Sequence, residues 1–158
     1  MEGIPLNSSS SVRHAFTDRV ALVTGGNSGI GQATARAFAA AGAKVVVAAR
    51  RENEGEATAG GIRETGGEAI FVRTDVTDSR EVARLLDAAL SHYGRLDFAF
   101  NNAGSGLDYP PGRLHDRDEA FWDQHSDTFL KSVFTAMKAE LEVMLEAGGG
   151  GVIVNNAS

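Results

Sequence analysis

The sequence predicts an α/β fold built on a doubly wound parallel sheet, and three observations support this prediction. Five short apolar runs alternate with longer helix-forming segments. A glycine-rich turn joins the first apolar run to the first helix-forming segment. The polar residues of chemical interest follow the apolar runs, where the carboxyl ends of parallel strands would meet. Alternating strands and helices favour parallel pairing, and nearly continuous apolar strands fit a sheet covered on both faces.

The glycine turn is the segment around which the chain is organised. Residues 24–31 read TGGNSGIG and follow the apolar run at 20–23. Residues 32–41 are helix formers, and Gly42 suits the position after a helix end. Such a turn presents bare backbone N–H groups and the positive end of a helix dipole at one point, which suits a pyrophosphate. Because the spacing is not G-x-G-x-x-G, the strand–turn–helix context carries this prediction.

Composition limits the partners and the compartment. The net charge of −6 and the absence of a basic run argue against nucleic acid, and the absence of cysteine excludes disulfides and thiolate chemistry. No apolar run approaches the roughly 20 residues that span a bilayer, so we expect no membrane partner and a cytoplasmic location. Residues 1–15 are polar and serine-rich, and we predict a disordered leader followed by one domain from 16 to 158.

The next elements follow from strand and helix signals. Residues 44–49 and 69–73 are predicted strands, and the glycines between them predict only a weak helix over 53–65. The segment 77–79 offers a helix N-cap with Glu81 in the first turn. The helix that follows ends at Gly94 and carries one apolar stripe of four residues, Val82, Leu85, Leu86 and Ala89.

The last elements are a strand, a long helix and a fifth strand. Residues 96–100 form the fourth strand, a helix spans 119–146, and residues 152–155 form the fifth strand. The predicted core stripe of the long helix is Leu130, Val133, Met137, Leu141 and Leu145.

The chain resembles the short-chain dehydrogenase/reductase family in four segments that occur in order. These segments are 24–31, Asp75 with Val76, 101–104 (NNAG) and 152–158 (VIVNNAS). The resemblance implies a Rossmann-like sheet of order 3-2-1-4-5, incomplete at its C-terminal edge. It also implies a bound nicotinamide dinucleotide and hydride transfer between that coenzyme and a small-molecule carbonyl or alcohol.

The resemblance also implies a role for each matching residue. Asp75 would accept from the adenine amino group, and Val76 would pack on the ring. Asn101 would tie strands together, and Ser158 would be the catalytic serine. The pyrophosphate turn and the ribose loop would comprise Thr24, Gly25, Asn27, Ser28, Gly29, Gly31, Asn102, Ala103 and Gly104, with Ile30 near the nicotinamide. Taken singly, Asp75 fits a turn acceptor and the asparagines fit ordinary loop chemistry; the ordered set argues against that interpretation.

The choice of coenzyme depends on the end of the second strand. A carboxylate there would bind the ribose 2′-hydroxyl and repel a 2′-phosphate, but the sequence has Ala49 followed by Arg50 and Arg51. Guanidinium groups suit a phosphate, so NADP(H) is favoured and NAD(H) stays possible. The alternative is that both arginines form a solvated face with nearby glutamates, namely Glu52, Glu54 and Glu56.

Two departures from the family bear on catalysis. The family's tyrosine and lysine, four residues apart and about a dozen beyond the serine, are not in this sequence. Tyr93 is followed at that spacing by Asp97 and Tyr109 by Arg113. Phe129 stands where the family usually has a water-holding asparagine, and we interpret it as a packing residue. We therefore expect this chain to be inactive alone, and a non-catalytic nucleotide-binding or dimerising module is the alternative function.

Three weaker candidates complete the analysis. The histidines lack metal-ligand spacing, so no metal is predicted, although a site from His115, Asp116, Asp118 and His125 is an alternative. The family resemblance implies a homo-oligomer through helix 119–146. The residues for this contact, which fit intramolecular core equally well, are Met137, Leu141, Met144 and Leu145. Phe121 and Trp122 are interpreted as core or loop anchors. A third alternative function is that of a doubly wound protein that binds no nucleotide, which would require the match of the glycine turn to be a coincidence.

Overall fold

The computed structural model describes residues 15–104 and 112–156. Five parallel strands form one sheet in the order β3-β2-β1-β4-β5. Their bounds are Val20–Thr24 (β1), Lys44–Ala49 (β2), Glu68–Arg73 (β3), Phe98–Asn101 (β4) and Val152–Asn155 (β5). This order confirms the predicted fold class. Residues 1–14 lie outside the described residues, so the disordered leader stays a prediction.

Helices cover both faces of the sheet. Their bounds are Gly29–Ala40 (α1), Glu52–Glu64 (α2), Ser79–Tyr93 (α3), Glu119–Ser126 (α4) and Ser132–Glu146 (α5), and a short 3-10 turn spans Leu114–Asp116. Side chains alternate across β1, so Leu22 packs in the cluster with α3 and α5, whereas Val23 packs in the cluster with α1 and α2. Because both faces are covered, every residue of β1 is buried, which explains its continuous apolar sequence.

The glycines that predicted a weak helix do not interrupt α2, and its low stability stays a prediction. The helix is continuous over thirteen residues. A Cβ on Gly55 would lie 2.0 Å from the ring of Phe71 on β3, so this glycine permits close packing of helix on sheet. Two other predicted bounds also differ from the structure. Helix α1 begins at Gly29, inside the glycine turn, and β4 begins at Phe98, two residues after the predicted start.

The prediction for the long helix was wrong in its phase. A π-helical turn, Asp127–Lys131, separates α4 from α5. The residues that α5 buries are Ser132, Ala136, Glu140 and Met144, each one position before or after a residue of the predicted stripe. Leu130, Leu141 and Leu145 are 69%, 44% and 71% exposed. One position on a helix is a rotation of about 100°, so the buried face is rotated from the predicted stripe, of which Val133 and Met137 are half-buried.

Candidate functional site

The carboxyl ends of the strands bring the sequence-predicted segments to one edge of the sheet. The glycine turn follows β1, Asp75 follows β3 and residues 102–104 follow β4. Asn155 ends β5. Ser158, the predicted catalytic residue, lies outside the described residues. The edge therefore collects the predicted coenzyme segments, as expected for parallel strands.

The glycine turn has the geometry of an anion site. Gly25 and Gly29 have φ angles of 64° and 52°, which other residues rarely adopt. A Cβ on Gly31 would lie 2.3 Å from the Gly25 carbonyl oxygen, so the turn itself excludes a side chain there. Ser28 makes no side-chain hydrogen bond to the first turn of α1, and that turn contains no acidic residue. Its N–H groups and positive dipole end therefore stay available to a diphosphate.

Thr24 joins the glycine turn to the loop after β4. Its hydroxyl oxygen accepts from the backbone N–H groups of Asn102 and Ala103, both at 3.0 Å. The Asn102 amide nitrogen also donates to the Thr24 carbonyl at 3.3 Å. Thr24 is only 2% exposed, so it positions the two loops and does not present its hydroxyl at the surface.

Asn101 links β4 to its neighbours, as the resemblance implied. Its amide nitrogen donates to Asn155 Oδ1 on β5 and to Glu140 Oε2 on α5, both at 3.0 Å. Asn156 Nδ2 in turn donates to Asn102 Oδ1 at 2.9 Å. The sequence reasoning missed Glu140 and Asn156. An acidic residue in a row otherwise made of Ser132, Ala136 and Met144 was the available signal for Glu140.

Glu140 is a buried carboxyl beside the site. It is 1% exposed, and burial raises its pKa to about 7, against the lowering effect of the Asn101 hydrogen bond. Within the described residues, Glu140 Oε1 and Asn101 Oδ1 have no hydrogen-bond partner. An acid in this environment is held in its protonated form up to near neutral pH.

Asp75 forms hydrogen bonds with two residues, Thr77 and Glu81. Its Oδ1 accepts from the backbone N–H and the hydroxyl of Thr77, at 3.0 and 2.8 Å. Its own backbone N–H donates to Glu81 Oε2 at 2.7 Å. Val76 lines a small cavity with Thr24, Ala103 and residues of α5. Asp75 Oδ1 therefore acts as the acceptor within the turn, and Oδ2 is the oxygen that could accept a hydrogen bond from a ligand.

Arg51 lies against the glycine turn. Its Nη2 donates to Ser28 Oγ at 3.2 Å, and with the Asn27 amide oxygen turned toward the guanidinium, Nη2 and Nε donate to it at 2.6 and 2.9 Å. Its Nη1 is 3.2 Å from Glu54 Oε1. Arg50 is exposed beside it. Positive charge therefore adjoins the turn at the end of β2, where Ala49 stands in place of a carboxylate.

A sequence profile of the short chain dehydrogenases matches residues 19–158. The chain belongs to the short-chain dehydrogenase/reductase family. It is 42% identical over 143 residues to an A-factor type gamma-butyrolactone 1'-reductase of Streptomyces virginiae, covering 90% of this chain and 55% of that protein. It is 43% identical to a cis-4-hydroxycyclohexanecarboxylate dehydrogenase of Sinomonas cyclohexanicum, over 91% of this chain and 56% of that protein.

Solved short-chain dehydrogenase/reductase structures have the same fold. One from Mycobacterium marinum matches with a TM-score of 0.87 at 33% identity, over 96% of this chain and 60% of that chain. A metagenomic short-chain oxidoreductase in complex with NADP matches with a TM-score of 0.83 at 35% identity, over 91% and 64%. The chain thus spans about half the length of the curated relatives it matches. None of the described helices is both long and apolar enough to cross a membrane.

Phe129, which departs from the short-chain dehydrogenase/reductase pattern, makes a packing contact. A Cβ on Gly104 would lie 2.8 Å from Phe129 Cε1, so the ring abuts the end of the ribose loop. The interpretation of Trp122 as a core or loop anchor fails, because its side chain is 69% exposed. Phe121 is half-buried between Arg117 and His125. In the described parts of the chain, no three His, Asp or Glu residues form a metal-binding group.

Proposed function

We propose that this chain is the coenzyme-binding part of an oxidoreductase that transfers hydride between NADP(H) and a small-molecule carbonyl or alcohol. The observation that carries the proposal is the uncapped first turn of α1 behind Gly25 and Gly29. When bound, the coenzyme supplies or accepts the hydride. The protein's own contribution is to bind, orient and shield it.

The proposed binding residues surround the glycine turn. The first-turn amides of α1 would hold the pyrophosphate, with Gly25, Asn27, Ser28, Gly29 and Gly31 shaping the turn and Ile30, 63% exposed, beside the nicotinamide half. The adenosine half would lie against Val76 and the ribose loop of Asn102, Ala103 and Gly104. Asp75 would bind the adenine amino group, and Thr24 would keep the two loops in register.

NADP(H) is the proposed coenzyme because of charge at the end of β2. The two arginines at 50 and 51 provide a phosphate-binding pair, and no carboxylate occupies the 2′-hydroxyl position. The metagenomic relative bound to NADP is consistent with this assignment. NAD(H) is the alternative coenzyme. The ion pair between Arg51 and Glu54 favours this alternative, because Glu54 already occupies part of the guanidinium that would bind a 2′-phosphate.

Catalysis is proposed for Ser158 together with residues that this sequence does not contain. The serine would hydrogen-bond the substrate carbonyl or hydroxyl, and a tyrosine–lysine pair would carry the proton. General acid–base help is worth about 10²–10⁴-fold, so we expect no measurable turnover by this chain alone. The printed names of the relatives, a reductase and a dehydrogenase, fit a carbonyl or alcohol substrate. We also propose a cytoplasmic location, where the coenzyme is available.

A non-catalytic binding or dimerising module is the second candidate. It is favoured by an apolar row on the outer face of the long helix, comprising Leu130, Phe134, Leu141 and Leu145, which are 44–71% exposed. Such a row suits a second copy of the chain. NADPH binding would separate both candidates from a doubly wound protein that binds no nucleotide.

Fluorescence titration with NADPH and NADH tests the proposed function. We expect saturable binding of NADPH and a preference for it over NADH. Arg51→Ala should weaken NADPH binding by about 10–100-fold, the worth of a charge-assisted phosphate contact, and leave NADH nearly unchanged. Arg36→Ala, on the exposed side of α1, is the matched control. No binding of either coenzyme at millimolar concentration would contradict the proposal, and equal loss for both would contradict the NADP(H) assignment.

A further inference from the structure

We propose that Thr77 and Glu81 are positioning residues that make this site select a purine with an exocyclic amino group over one with a keto oxygen. This inference rests on the proposed function, since it concerns the adenine half of the same coenzyme. Its basis is the way the two residues hold Asp75. One fixes the carboxylate, and the other fixes the backbone that bears it.

Thr77 fixes the carboxylate of Asp75. Two donors of Thr77, the backbone N–H and the hydroxyl, converge on the single oxygen Oδ1 at 3.0 and 2.8 Å. A carboxylate that accepts two hydrogen bonds through one oxygen loses its freedom to rotate, and Oδ2 is left as the acceptor for a ligand. An ionised carboxylate only accepts. It therefore attracts an amino group and repels a keto oxygen at the same position.

Glu81 fixes the backbone of Asp75. As the third residue of α3, it occupies the position whose side chain in a capping box binds the N-cap backbone N–H, here that of Asp78. That N–H instead donates to the Asp75 carbonyl at 3.1 Å. Glu81 Oε2 reaches past the N-cap and accepts from Asp75 N at 2.7 Å. Helix capping alone therefore does not explain its contact with Asp75.

Glu81 is itself held in place. Its side chain is only 18% exposed, and Oε1 lies 3.4 Å from Arg84 Nη2 and 3.8 Å from Arg73 Nη1. The residue before Asp75 is equally constrained, because Thr74 is 1% exposed and its N–H donates to the Ala49 carbonyl at 2.9 Å. Asp75 is thus held between the end of β2 and the first turn of α3.

The test compares two coenzymes that differ at position 6 of the purine, where an amino group is replaced by a keto oxygen and the neighbouring N1 gains a proton. NADPH and reduced nicotinamide hypoxanthine dinucleotide phosphate, which carries a keto oxygen there, are titrated by fluorescence. We expect the wild-type chain to bind NADPH at least about tenfold more tightly, since a site built for a donor rejects an analogue lacking it. Thr77→Val, which removes the hydroxyl donor, and Glu81→Leu, which removes the carboxylate acceptor, should bring this ratio toward one, whereas Thr77→Ser should keep the wild-type ratio. Asp87→Asn, an equal charge change on the exposed side of α3, is the matched control.

Each outcome decides a separate question. A wild-type chain that binds both coenzymes equally, or variants that keep the wild-type ratio, would overturn the inference and leave the proposed function standing. Equal weakening of both coenzymes in the variants would mean a merely structural role and would also overturn it. A wild-type chain that binds neither would overturn the proposed function and the inference with it. Thermal melts verify folding, and if Glu81→Leu does not fold, the exposed Thr77 variants decide.

Discussion

Glu140 is the residue whose environment departs most from what its chemistry favours. It lies on the face of α5 that packs against the sheet, with Asn101 as its hydrogen-bond partner. Burial penalises its charged form, because charge interacts more favourably with water than with the interior. The folded state therefore favours the proton on Glu140, which makes stability depend on pH.

We predict that the free energy of unfolding falls as pH rises from about 4.5 to 7. The pKa of Glu140 is 4.5 in the unfolded chain and about 7 in the folded chain. Below the lower value the acid is neutral in both states, and above the upper value the full stabilisation has been lost. At about 1.4 kcal/mol per pH unit, the loss is on the order of 3 kcal/mol.

Glu140→Gln isolates this contribution. The amide keeps an oxygen that can accept from Asn101 and removes the titration, so urea unfolding should show a weaker dependence on pH than in the wild-type chain. The difference between the two chains, measured at pH 5 and pH 8, cancels other titrating groups. The same slope in both proteins would show that Glu140 does not titrate on unfolding.

At the residue scale, the sequence predicted what is local and missed what is distant. The glycines, Asp75 and Asn101 were found because each sits at a strand end. Glu140 contacts Asn101 across 39 positions and Asn156 contacts Asn102 across 54. No local pattern encodes such a contact. The contact that excludes a Cβ at Gly31 is local, because the atom it would meet is the Gly25 carbonyl oxygen of the same turn.

Among the elements, α3 and α5 show when helix patterns succeed. The sequence of α3 carries one apolar stripe between Asp78 and Gly94, and the structure places the N-cap and the left-handed C-cap at those residues. Helix α5 has apolar residues on more than one face, so the pattern did not determine which face is buried. The π turn before it adds a change of phase that periodicity does not predict.

We predict that Asp78→Ala destabilises the chain and lowers its urea midpoint of unfolding, because alanine cannot replace the oxygen of a helix N-cap. The Asp78 carboxylate accepts from the Arg80 backbone N–H at 2.9 Å, and without it the first turn of α3 loses its cap. Asp78→Ser, which keeps a capping oxygen, should recover most of the loss. Urea unfolding of the three proteins measures the effect. An alanine variant as stable as wild type would show that the cap contributes nothing here.

In the whole molecule, exposed apolar side chains occur on the last strand of the sheet and on the outer row of the long helix. Strand β5 is the edge of the sheet, and its Val152 and Val154 are 54% and 49% exposed. The outer row of the long helix adds Phe134 at 68% and Leu145 at 71%. Contiguous apolar surface of this kind marks an interaction site or an aggregation hazard. Two surfaces therefore compete for self-association, the strand edge and the helix row.

We predict that the helix row dominates and that the wild-type chain forms dimers at about 100 μM in sedimentation velocity. Phe134 lies near the centre of the row, and large aromatic side chains commonly contribute most to an interface. Phe134→Glu should therefore weaken dimerisation at least about tenfold, because it removes an apolar contact and introduces two facing charges in a symmetric pair. Ser91→Glu, which adds one negative charge on the exposed side of α3, is the matched control for the change of charge. If Phe134→Glu remains dimeric while Val154→Lys becomes monomeric, copies associate through the edge of β5, and the helix row is not the interface.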